Sequence, residues 1–196
     1  FKNKTALIDE MGIKYTYNQV IKKTKSLNST INKKSLILLV ASNSAASIMG
    51  YVSFIRSNNT SIILDKSFKF EYVKKIIKKY KPNYLFGPKG YFNEMEGDNE
   101  ITIFEDYNLI KINFEKSHKI NKKNLLLLST SGTTQSPKFV RLSNINIQHN
   151  TKNIIKYLKI NSKHTTITTM PMGYSYGLSI INTHLASGSK IIINKK

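Results

Sequence analysis

The sequence contains no cysteine. That excludes a disulfide framework, a thiolate zinc site and a cysteine nucleophile, and it agrees with a reducing, cytoplasmic setting. No apolar run reaches the ~20 residues that a membrane-spanning helix needs. The longest, Leu36–Ala41 and Leu125–Leu128, have the length of strands. The N-terminus, Phe1-Lys-Asn-Lys, has neither an initiator Met nor the apolar core of a signal peptide. Acidic residues are scarce, 11 against 31 Lys and Arg, for a net charge of +20 over 196 residues. Such a charge attracts polyanions. Here, however, the lysines are spread along the whole chain beside many Asn and Ile, and they adjoin only as pairs, Lys22-Lys23, Lys33-Lys34, Lys74-Lys75, Lys78-Lys79, Lys122-Lys123 and Lys195-Lys196. No basic stripe interleaved with aromatics is present, so the charge reads as a solvated surface and nucleic-acid binding is not expected.

What the sequence does have is apolar content, 40%, enough to bury a core. Its pattern alternates between strand and helix. Ala6–Asp9 and Lys14–Tyr17 read as short strands around a turn at Gly12. Thr16 is placed to cap a helix over Tyr17–Ile31, where Val20, Ile21, Thr24, Leu27 and Ile31 recur at helical spacing. Ser35–Ala41 is a continuous apolar strand, as in a parallel sheet covered on both faces. A helix capped by Asn43 or Ser44 runs to Arg56, followed by a strand at Thr60–Leu64. An amphipathic helix over Lys69–Tyr80 is stopped by Pro82. Tyr84–Phe86 is a strand and Gly87–Gly90 a turn. Ile101–Phe104 and Leu109–Phe114 follow as strands. Asn124–Thr130 and Lys138–Leu142 are strands, then a helix capped by Ser143 or Asn144 continues to Leu158. Thr165–Met170 is a strand, Pro171–Gly177 a loop, Leu178–Ala186 a helix and Lys190–Asn194 a last strand. The alternation predicts an α/β fold with a largely parallel sheet and helices on both faces.

One segment points to chemistry. Between two strand-like runs, Leu128-Ser-Thr-Ser-Gly-Thr-Thr-Gln-Ser-Pro-Lys138 crowds hydroxyls around Gly132. Hydroxyls and exposed backbone N–H groups suit a polyphosphate, Gly132 permits close backbone approach, and Lys138 adds a positive charge. An ordinary Ser/Thr-rich turn is the plain alternative. A Walker loop is excluded: Gly132 and Lys138 have its spacing, but Pro137 stands for its second Gly, Phe139 for its metal-binding hydroxyl, and the following residues read as strand.

The stretch Thr130-Ser-Gly-Thr-Thr-Gln-Ser-Pro-Lys-Phe-Val140 resembles the phosphate loop of the adenylate-forming superfamily, which includes acyl-CoA synthetases, nonribosomal peptide synthetase adenylation domains and luciferases. Its pattern there is Thr-Ser-Gly-[Ser/Thr]-Thr-Gly-x-Pro-Lys-x-Val. Ala6–Tyr17, Gly50–Pro82, Val140–Asn146 and Pro171–Gly177 resemble further family segments in the same order. The resemblance covers residues 1–196 as the N-terminal part of the AMP-binding domain. It implies ATP-dependent activation of a small carboxylic acid as an acyl-adenylate, with Mg²⁺, and transfer to CoA or to the phosphopantetheine of an acyl or peptidyl carrier protein. Carried over, Thr130, Ser131, Gly132, Thr133, Thr134 and Gln135 line the ATP phosphates, Thr130 also touches Mg²⁺, Lys138 holds phosphate or orders the loop, and Tyr174 borders the acyl pocket. Tyr176 is read as structural, His149 and His184 receive no role, and no catalytic residue is assigned.

Gln135 departs from the family's second loop Gly; in a left-handed backbone a side chain there costs about 1–2 kcal/mol. The family's Tyr-Gly-x-Thr-Glu segment, its ribose-binding Asp and its lid domain with the adenylating Lys are not found before Lys196. The expectation is therefore part of a longer enzyme, inactive by itself. Two further readings stay open: a non-catalytic anion- or partner-binding module that keeps the fold, and a basic nucleic-acid-binding protein.

Overall fold

The computed structural model describes residues 1–31, 33–95, 99–104, 106–115, 120–121, 123–129 and 138–194. Among the described residues the elements follow in chain order: β1 (Thr5–Ile8), β2 (Lys14–Thr16), α1 (Tyr17–Ser29), β3 (Leu36–Ala41), α2 (Ala45–Arg56), β4 (Thr60–Asp65), α3 (Phe70–Tyr80), β5 (Tyr84–Pro88), β6 (Asn99–Phe104), β7 (Tyr107–Lys111), β8 (Asn124–Ser129), β9 (Phe139–Ser143), α4 (Asn144–Leu158), β10 (Thr165–Thr168), α5 (Ser175–Ser187) and β11 (Lys190–Ile193).

The strands divide into two sheets, of order β6-β7-β5-β3-β4-β8-β9 and β10-β11-β1-β2. The centre of the large sheet is parallel: β5, β3, β4 and β8 run together. Its edges are antiparallel, through β7 and β6 on one side and β9 on the other. In the small sheet β1, β11 and β10 are parallel, and β2 returns against β1.

Side-chain alternation along the central strands builds two cores. Ile37, Leu39, Ile63, Leu126 and Leu128 face one core, which they share with α1, α2, α5, β1 and β11. Leu36, Leu38, Val40, Ile62, Leu64 and Leu127 face the other, under Val73, Ile76 and Ile77 of α3. Strands buried on both faces have no polar side to display, which is why they read as unbroken apolar runs in the sequence. The layers are α3, the large sheet, a helical layer and the small sheet. Periodicity alone yields the elements; the second sheet arises because β1 and β11, at opposite ends of the chain, pair in register Leu7 with Ile191.

The helix starts follow local chemistry. Thr16 caps α1 in a reciprocal capping box with Gln19, Ser44 caps α2, and Ser143 caps α4 with Asn146; each such cap contributes about 1 kcal/mol. Lys81, left-handed at φ 47°, ends α3 one residue before Pro82. Several boundaries differ from the sequence reading. Gly87 and Pro88 belong to β5, paired with Asn108 and Tyr107, so the turn there begins later. The strand expected at Leu109–Phe114 runs over Tyr107–Lys111. Helix α5 begins at Ser175, a turn before Leu178, because Leu178 N–H already donates to Tyr174 O at 3.0 Å.

Tyr17, first residue of α1, ties the chain ends together. Its hydroxyl donates to the Ser189 carbonyl at 2.7 Å and the His184 carbonyl at 3.3 Å. Burial raises its pKa from 10.0 to about 12. The folded state therefore holds this proton where the unfolded chain has released it, so stability falls as pH rises from about 10 to 12. Denaturant titrations across that window are expected to show a shallower alkaline loss of stability in Tyr17→Phe than in the parent; equal slopes would contradict the assignment.

Candidate functional site

Parallel strands β3, β4 and β8 lie side by side and end on one edge of the large sheet. The carboxyl ends of parallel strands are where α/β folds bind ligands, because the connections there are free of the sheet's own hydrogen bonding. Segments far apart in sequence meet on this edge: Asn43 with Thr168, and Asp65 with Gly173.

After β3 comes Ser42-Asn43-Ser44. The Tyr107 hydroxyl accepts from Ser42 N–H at 3.1 Å and lies 2.9 Å from Ser42 Oγ and 3.2 Å from the Val40 carbonyl. Burial raises the pKa of this phenol, so it remains a neutral hydrogen-bonding group. Asn43 Nδ2 donates to the Thr168 carbonyl at 3.3 Å, joining the end of β10 to this edge. After β4, buried Asp65 accepts the Ser67 N–H at 2.9 Å. Against Asp65 sits Gly173: a Cβ there would lie 2.9 Å from Asp65 N and 3.1 Å from Asp65 Cα. Only glycine lets the Pro171–Tyr174 loop press onto the end of β4, the neighbour of β8. Asp65 and Gly173 carried no role in the sequence reading, since neither belongs to a local pattern that announces the contact.

After β8 comes the hydroxyl-rich segment. Thr130, Ser131, Gly132, Thr133, Thr134 and Gln135 lie outside the described residues. Both anchors of the segment are described. Ser129 closes β8 and pairs with Phe139, first residue of β9, so residues 130–138 leave and re-enter the sheet at adjacent strand positions. Lys138 is exposed and stands immediately before β9. The element after the loop is an antiparallel strand, whereas a Walker loop opens into a helix; the exclusion of that motif holds.

Tyr174 is half-buried at the N-cap of α5, with no side-chain cap bond. Tyr176, read from sequence as structural, is instead 65% exposed on the first turn of α5. His184 is a packing histidine: its Nδ1 lies 2.9 Å from the Ile180 carbonyl and 3.2 Å from Thr183 Oγ1. His149 lies on α4, exposed.

A cavity of about 300 Å³ opens beside the Tyr174 loop. Its floor is Leu126 and Leu128, from the strand that leads into the loop, with Leu142 of β9. Its walls are Asn146, Ile147 and Asn150 of α4 and Ser175, Leu178, Ser179 and Asn182 of α5. The sequence carried a signal for it: Asn146 and Asn150, Ser175 and Ser179, Leu178 and Asn182 are each spaced by four residues, which puts each pair on one helix face. Among the described residues no cluster of His, Asp and Glu suited to a metal ion exists, and no helix is long and apolar enough to cross a membrane.

A parallel α/β layer whose strand β8 is followed by an antiparallel return, with a cavity beneath that hairpin, places the chain in a mixed α/β class of fold. Within it, the chain belongs to the AMP-binding enzyme family, whose model matches residues 1–196. Curated relatives include the D-alanine–D-alanyl carrier protein ligases of Staphylococcus aureus, 24% identical over 180 residues, and of Streptococcus pyogenes serotype M3, 24% identical over 182. These alignments take 90% and 88% of this chain and 36% and 35% of the relatives, so the chain spans about a third of their length. Solved structures agree on the fold. MatB from Rhodopseudomonas palustris superposes with a TM-score of 0.76 at 15% identity, over 100% of this chain and 43% of that one. O-succinylbenzoate coenzyme A synthetase from Bacillus subtilis, in complex with AMP, gives 0.76 at 16%, over 99% and 53%.

Proposed function

We propose that this chain is the N-terminal part of a ligase that activates a small carboxylic acid with ATP and passes the acyl group to the thiol of CoA or of a carrier protein. The observation that supports this reading is the pairing of Ser129 with Phe139 at the two ends of the Ser/Thr/Gly segment, between central strand β8 and the return strand β9, with Lys138 immediately before β9. Family membership and the ligase names of the relatives support the same chemistry.

In this reading the backbone and hydroxyls of Thr130, Ser131, Gly132, Thr133 and Thr134, with Gln135 beside them, surround the β- and γ-phosphates, and Lys138 adds charge. The substrate carboxylate attacks the α-phosphorus, the bond to the bridging oxygen breaks, and pyrophosphate leaves with its electrons. Negative charge on the leaving group grows as that bond breaks, and fixed N–H, O–H and ammonium groups stabilise it without reorganising. Mg²⁺, with Thr130 as its contact from this chain, would supply further neutralisation. The acyl group lies in the cavity walled by α4 and α5, and Tyr174, one residue before the lining Ser175, is the side chain proposed to border it; this seat holds the carboxylate near the loop and keeps water away from the mixed anhydride.

The test is acid-dependent ATP–pyrophosphate exchange by the full-length protein across a panel of carboxylic acids. Exchange with one class of acid is expected. Absence of exchange with every acid, in a folded protein, would replace this reading with a non-catalytic module in which Gln135 obstructs the loop.

A further inference from the structure

The cavity beneath the β8–β9 hairpin carries information on the acid itself. Its floor is aliphatic, but its helical walls offer amides and hydroxyls. Their hydrogen-bonding directions are fixed by neighbours. The Tyr51 hydroxyl donates to Asn182 Oδ1 at 2.9 Å. Tyr51 is fully buried, and desolvation holds its pKa well above that of an exposed phenol, so it stays a donor. With Oδ1 taken, Asn182 presents Nδ2–H, which has no partner among the described residues, as a donor. Ser179 sends its own proton to the Ser175 carbonyl at 2.8 Å and is left with acceptor lone pairs. Asn150 Nδ2 approaches Ser179 Oγ at 3.5 Å, which leaves Asn150 Oδ1 as a second acceptor.

We infer that the acid activated by this protein carries a neutral substituent that both donates and accepts a hydrogen bond, a hydroxyl or a primary carboxamide, seated between Asn182, Ser179 and Asn150. The inference rests on the adenylation reading above and makes the acid distinct from the D-alanine named for the curated relatives. A primary carboxamide accepts from Asn182 and donates one N–H each to Ser179 and Asn150, whereas a hydroxyl accepts from Asn182 and donates its single proton to one of the two acceptors. An alkyl group makes none of these hydrogen bonds, and a site that pairs with a substrate polar group discriminates against the analogue that lacks it. The volume of about 300 Å³ is at the small end of ligand sites.

The experiment measures exchange by the full-length protein with four acids of one carbon skeleton, bearing a hydroxyl or carboxamide, a methyl, an ammonium or a second carboxylate. The hydroxyl or carboxamide acid is expected to exceed its methyl analogue by roughly 10- to 100-fold in kcat/KM. In Asn150→Leu, an exposed position that folding tolerates, that ratio should collapse towards one as the methyl acid gains. Exchange that favours the ammonium, carboxylate or methyl acid, or a ratio unmoved by Asn150→Leu, overturns the inference and leaves adenylation standing. Exchange with none of the four or of the wider panel overturns the adenylation reading and the inference with it.

Discussion

Lys138→Ala in the full-length protein is expected to lower acid-dependent ATP–pyrophosphate exchange by about 100-fold, the loss typical when one fixed donor to developing charge is removed. The lysine stands where residues 130–138 rejoin the sheet, and β9 holds its backbone through the Ser129–Phe139 pair. The backbone that carries the charge is therefore anchored before ATP arrives. Because Lys138 is exposed, its removal is expected to change folding stability by no more than about 0.5 kcal/mol. Activity and thermal midpoint should therefore separate. A variant that keeps full exchange would remove Lys138 from the phosphate site; one that melts much earlier would give the residue a structural role instead. Lys138→Arg keeps the charge, and partial recovery there is the expected companion result.

Gly177→Ala is expected to be the more damaging substitution for the fold. Gly177 is the third residue of α5, and a Cβ there would fall on the Pro171 carbonyl oxygen, 2.7 Å from Pro171 C and 2.8 Å from Met170 O. These are backbone atoms with no rotamer to change, and the Pro171 oxygen already accepts from Tyr174 N–H at 3.2 Å. Relief would require the loop to back away from α5, which would also lift Gly173 from the end of β4. Overpacking of this kind costs up to about 3 kcal/mol, which in a chain of this length lowers the thermal midpoint by roughly 6–12 °C. Gly12→Ala is the control. Gly12 has φ +80° with nothing within 4 Å of a Cβ, so its cost is the backbone strain alone, about 1–2 kcal/mol. Equal melting of parent and Gly177→Ala would show that the loop is not packed as described.

The elements themselves were legible because their signals are local. The apolar run at Leu36–Ala41 and the helical spacing in Phe70–Tyr80 each describe how a segment meets its surroundings, and Thr16, Ser44 and Ser143 mark helix starts by bonding to N–H groups three residues on. Helix α5 was read too short because Ser175, Tyr176 and Gly177 are poor helix formers by propensity, and the packing of Gly177 on the Pro171 turn outweighs that. Tyr176, expected to be structural, lies exposed on the first turn of α5.

The sequence by itself determined the α/β class, the strand-flanked Ser129–Lys138 segment and the family resemblance that it carries, because hydrophobic period, caps and a contiguous motif are all written within a few residues. The tertiary structure alone decided that β1 joins β11, that Gly173 rests on Asp65 beside the end of β8, and that Asn150, Ser179 and Asn182 face one cavity. Those placements depend on which surfaces are buried together once all layers have packed: the first two join residues a hundred or more positions apart, and for the third the four-residue spacing marks a face of each helix but not which helix it meets.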